Sequence, residues 1–82
     1  VQKYTKIYLD YFKLKPGEFV ACEVCGTQAT EIHHIHNRSH RKDLLNDINN
    51  LMAICRTCHI KYGDIKKHKP LLIKIHKKKL NG

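Results

Sequence analysis

A chain of 82 residues with no Trp, two Phe and one Met is one domain's length, with too few large apolar side chains for a core alone to hold it, so a staple is expected. No apolar run approaches the roughly 18–20 residues of a membrane span, and no signal peptide is visible, so a cytoplasmic, intracellular domain is the expectation. The 16 Lys and Arg against 7 Asp and Glu, a formal +9, favour a polyanionic partner, nucleic acid above all, held through phosphate contacts and counterion release. The opening on Val1 rather than Met is compatible with a trimmed chain or a piece of something larger.

In chain order, Tyr4, Ile7, Tyr8, Tyr11 and Phe12 fall on one helical face, and Pro16-Gly17 breaks the pattern. This predicts a helix over roughly residues 2–14 in an N-terminal segment 1–16. Its aromatic stripe is read as core, with base stacking as the alternative. Cys22-Glu23-Val24-Cys25-Gly26 then forms a knuckle, in which a Gly after the second Cys suits left-handed backbone. Residues 29–35, partly β-branched, predict a strand. Residues 37–50 are polar and basic, anchored by Leu44, Leu45 and Ile48, and read as a loop with at most a helical turn. Leu51–Ile54 is the second strand.

Cys55-Arg56-Thr57-Cys58 should turn that strand into a helix on which Cys58, Tyr62 and Ile65 share a face. His59, about 100° further round, serves a different site. Pro70 is placed to start a last helix across 71–80, although Leu71, Ile73 and Ile75 also alternate as a strand would. Lys61, Lys66, Lys67, Lys69, Lys74, Lys77, Lys78 and Lys79 face only Asp64, a surface suited to clamping a nucleic-acid backbone. His68 and His76 are read as surface residues, and His36 and His40 as groups for solvent or phosphate.

Two Cys-x-x-Cys pairs, Cys22/Cys25 and Cys55/Cys58, could form disulfides or share one zinc. The two-residue gaps, which let a tight turn aim two thiolates at one ion, favour zinc. Between the pairs stand His33 and His34, then Asn50, then His59 immediately after Cys58. This order resembles the HNH endonuclease family, in the variant whose ββα-metal core carries an added four-cysteine zinc. The likeness runs from Cys22 to about Lys66, and the nine-residue step from Asn50 to His59 is similar to that of nuclease colicins.

The resemblance implies an α+β fold: a small ββα-metal (HNH) core with its four-cysteine zinc knuckle over 20–66, an N-terminal helix, and a basic C-terminal helix over 67–82. It implies His33 and His59 as ligands of a catalytic divalent ion (Mg, Mn, Ni, Co or Zn) and His34 as general base. Asn50 would pin the loop that aims the base. A shifted register would make His34 the ligand, and Asn49 could stand in for Asn50. DNA is the implied partner, and hydrolysis of its phosphodiester bonds by a single-metal mechanism the implied activity.

The chemistry agrees with that allocation. One ion can relieve charge on the phosphate and on the departing oxygen. A neutral imidazole, with an unperturbed pKa of about 6.5, can deprotonate water. Arg38, Arg41, Arg56, Lys61, Lys66 and Lys67 are the candidate phosphate contacts. Two departures from the family stand out: Gly63 occupies the position of a third metal-binding His found in colicin-like members, and Ser39-His40-Arg41 replaces the usual Gly-Gly. The competing reading is a non-catalytic zinc module that binds DNA or RNA.

Overall fold

The computed structural model describes every residue except Val1, Arg38, His40 and Asp64. The readings of Arg38 and His40 as phosphate contacts, and the place of Asp64 among the lysines, therefore lie outside the described residues. The first helix, α1, spans Lys3–Tyr11, shorter than the residues 2–14 expected. The chain leaves the helix at Lys13, which takes a left-handed φ of 57°. Lys13 N–H donates to Asp10 O and Leu14 N–H to Leu9 O. These two bonds form the terminating pattern that glycine usually completes, so the stop comes ahead of Pro16.

Between α1 and the first strand lies the cysteine knuckle. Cys22 N–H donates to Thr27 O, Gly26 N–H donates back to Cys22 O, and Ala21 bridges Gln28. Gly26, at φ 84°, supplies the left-handed backbone expected of it.

Strands β1 (Glu31–His34) and β2 (Leu51–Ile54) form an antiparallel pair with His33 opposite Met52 and His34 opposite Leu51. Every residue of β2 is wholly buried, because both faces of this ribbon are covered. Met52 and Ile54 face one core cluster with Cys22, Ile35, Cys55, Cys58 and Leu72. Leu51 and Ala53 face a second cluster with Tyr8, against which Tyr4, Ile7, Phe12 and Ile32 pack. Since paired residues share a face, Glu31 and His33 lie on the first side and Ile32 and His34 on the side of α1.

Helix α2 covers Arg56–Tyr62, capped by the Cys55 Sγ, which accepts from the Cys58 N–H. It ends at Gly63, so Ile65 does not extend the face shared by Cys58 and Tyr62 and is left 38% exposed. A 3₁₀ turn at Lys66–His68 leads into α3, Lys69–Leu80, with Pro70 in its first turn. The tail is thus a helix, not a strand. It buries Leu72 and His76 on one face.

His76 corrects the expectation of a surface histidine. It is 1% exposed, with Nδ1 2.7 Å from Glu23 Oε1 and Nε2 2.6 Å from Ile48 O. The other Glu23 oxygen accepts from Tyr8 OH at 2.6 Å and from Ala53 N–H. One carboxylate from the knuckle therefore ties together α1, β2 and α3. Burial disfavours a charged His76 ring, but the bonds to Glu23 and to the Ile48 carbonyl outweigh it and hold its pKa above the ordinary value. Both ring nitrogens face acceptors, so each must carry a proton.

Candidate active site

The four cysteines come together first. Their Sγ atoms all lie within 4.8 Å of one another, so a small inward shift brings them to the roughly 3.8 Å spacing of four sulfurs on a tetrahedral ion with bonds of about 2.3 Å. The thiols are free. A hydrogen bond from Thr27, whose Oγ1 is 3.0 Å from Sγ, lowers the Cys25 pKa to about 6. The backbone N–H of Cys58 lowers that of Cys55, while burial and the neighbouring sulfurs push Cys58 up. A tetrad with two thiols already inclined to ionise can hold a metal ion, and an all-sulfur donor set suits zinc.

A second constellation lines a cavity of about 440 Å³. Its walls are Tyr4 and Thr5 of α1, Glu31, Ile32, His33 and His34 of β1, Asn37, and His59 of α2. The strand register explains how one cavity receives two histidines from successive positions. Among the described residues β2 is the one partner strand of β1, so the other edge of β1 is open there and the cavity takes lining residues from both of its faces. On one face the His33 ring lies 4.9 Å from the His59 ring, centroid to centroid. On the other, His34 meets the Tyr4 ring edge-on at 4.6 Å. His33 and His34 are both buried.

Asn50, 1% exposed, sits where the loop returns to β2. Its Oδ1 accepts from His36 N–H at 2.6 Å, and its Nδ2 donates to the carbonyls of His36 and Leu44. It thus joins both ends of the loop that follows β1. Next to Leu44, the Leu45 carbonyl accepts from His34 Nε2 at 3.0 Å. In a neutral ring this leaves the lone pair on Nδ1. Asn49 is exposed and among the described residues its side chain bonds to Asp47, so the loop is joined by Asn50 and not by its neighbour.

The basic candidates are less gathered. Arg56, Lys61, Lys66 and Lys67 are exposed, and Lys61 leans over the Tyr62 ring. Arg41 is exposed too, but its guanidinium lies against the Asp43 carboxylate at 3.0 Å and would have to exchange that partner for a phosphate.

Three site features escaped sequence reasoning. Tyr4 and Thr5 reach the cavity from a helix whose stripe was read as core, with base stacking as the alternative. Glu31, two residues before His33, also lines it; the period-2 rule, which puts residues 31 and 33 on one face, was the available signal.

The fold and these residues belong together in one family. The HNH endonuclease family matches residues 22–64, just over half of the chain, and the chain is a member of that family. Both α1 and α3 lie outside the matched stretch. A curated relative, a mitochondrial DNA mismatch repair protein mutS homolog from Sarcophyton glaucum, is 41% identical over 44 residues, covering 49% of this chain. The chain spans only 4% of that relative's length. No solved structure matches.

Proposed function

We propose that this domain is a metal-dependent endonuclease that hydrolyses DNA phosphodiester bonds. The observation that carries the reading is the single cavity at the β1 edge, which receives the His33–His59 pair on one face and His34 on the other. His33 and His59 would hold a divalent ion. Two neutral imidazoles form a donor set that suits Mn, Co, Ni or Zn, with Mg admitted by substrate oxygens. When bound, such an ion supplies Lewis-acid relief of the charge that builds on the phosphate and leaving oxygen.

The protein's own groups do the rest. His34, with Nε2–H committed to the Leu45 carbonyl, presents Nδ1 as the atom that takes a proton from the attacking water. Asn50 is a positioning residue: by binding the carbonyl of Leu44 it holds the segment whose next carbonyl orients His34. The cysteine tetrad, read as a structural zinc site, fixes Cys58 and with it the start of α2 that carries His59. Exposed lysines of the 3₁₀ turn and α3 would grip the DNA backbone.

The likeness to a DNA mismatch repair protein mutS homolog supports DNA as the substrate. Its far greater length supports a role for this domain as one module of a larger protein. A four-thiol metal site suits a reducing, intracellular compartment.

The reading is tested by plasmid nicking with added Mg²⁺ or Mn²⁺. Wild type should cleave, and His34→Ala should lower the rate by about 10²–10⁴-fold, the usual share of a general base, with DNA binding in a gel shift unchanged. A protein that shifts DNA but cuts it with neither ion would instead be the binding module.

A further inference from the structure

We infer that Glu31 is a third protein ligand of the divalent ion held by His33 and His59, an inference that rests on the nuclease reading above. The first observation is an orphaned atom. Glu31 Oε1 is shut off from solvent, and no hydrogen-bond donor satisfies it among the described residues. Its nearest cationic neighbour is His59 Nδ1, at 3.3 Å. A buried carboxylate oxygen without a donor is unfavourable, and a cation between it and the imidazoles would satisfy it.

The second observation is topological. Glu31 and His33 occupy alternate positions of β1 and so share the face that α2 covers, where the His33 and His59 rings lie 4.9 Å apart. All three side chains line the same cavity.

The third is steric. A turn after His59 stands Gly63, where a Cβ would run into the His59 carbonyl oxygen and the His59 ring carbon Cδ2. This backbone has no room for a side chain there, so α2 offers this ion His59 and nothing a turn later, while Glu31 stands on the strand beside His33. The cysteine tetrad is the only group drawn together within 4.8 Å among the described residues, so Glu31, His33 and His59 would draw in around the ion as it binds.

The chemical consequence is a mixed site, two nitrogens and one carboxylate oxygen, with positions left open for water and substrate. The carboxylate offsets one of the ion's two charges and adds a hard donor, which moves the preference toward Mn²⁺ and Mg²⁺.

The test is calorimetric titration of Mn²⁺ into zinc-loaded protein, without substrate, for wild type and for Glu31→Gln, His33→Ala and His59→Ala, with melting followed in parallel. Glu31→Gln keeps the shape and removes the charge. It should weaken Mn²⁺ binding at least about tenfold, the loss seen even for groups that only support a ligand, with the melting temperature of the ion-free form unlowered. Wild-type affinity in Glu31→Gln, alongside weakened binding in both histidine variants, would overturn the inference and leave the nuclease reading standing. Wild-type affinity in all three would overturn both.

Discussion

His76 shows how much of this small fold rests on one buried contact that looks like surface in the sequence. Removing one member of a buried ion pair costs about 3–5 kcal/mol, because its partner is left charged and unpaired. His76→Gln should therefore destabilise the domain by about that amount, measured by thermal or urea unfolding against wild type. The pH dependence has a definite sign. Folding raises the His76 pKa, so its contribution is complete below the ordinary histidine value and fades as pH rises through the folded value. The gap between wild type and variant should be wider at about pH 6 than at about pH 9; a gap that widens with pH would refute a charged His76. The sequence hid this residue because a histidine among Lys74, Lys77, Lys78 and Lys79 reads as one more basic surface group. The spacing Leu72–His76 was the only clue, and it needed Glu23 as a partner to mean anything. By contrast Asn50 was named by the family resemblance as the residue that would pin the loop, and its bonds to His36 and Leu44 do join that loop.

At the scale of elements, the pairing of β1 and β2 and the turn from β2 into α2 could be read from the two knuckles and the apolar run Leu51–Ile54. Boundaries were the harder part. α1 stops early through a left-handed Lys13, a conformation that nothing in its residue type announces. α2 stops at Gly63, although the apolar spacing continues to Ile65. The histidine register followed from pairing: once His33 stands opposite Met52, it must face α2 and His34 must face α1. A metal in the cysteine tetrad would tie both knuckles together, since α2 begins at the Cys55 cap and the hairpin 21–28 has one isolated bridge among the described residues. Structural zinc contributes about 10–16 kcal/mol in small modules, as much as a whole domain's net stability. Cys58→Ser should accordingly lose cooperative melting, and a variant that melts as wild type does would show that the tetrad is not the staple.

Across the whole molecule, α1 and α3, which both lie outside the family match, hold the site from opposite sides. α1 packs over the face carrying Leu51 and Ala53 and sends Tyr4 to His34, while α3 closes the other face with Leu72 and anchors the loop through Ile48. The cavity at the open edge of β1, walled by α1, β1 and α2, brings together side chains from three parts of the chain where the ion is proposed to bind. That convergence is tested most directly by pulsed electron paramagnetic resonance of Mn²⁺ bound to zinc-loaded protein. Two imidazole nitrogens should couple to the ion, and His33→Ala and His59→Ala should each remove one of them. Coupling to no imidazole, or a spectrum unchanged in both variants, would contradict the shared site.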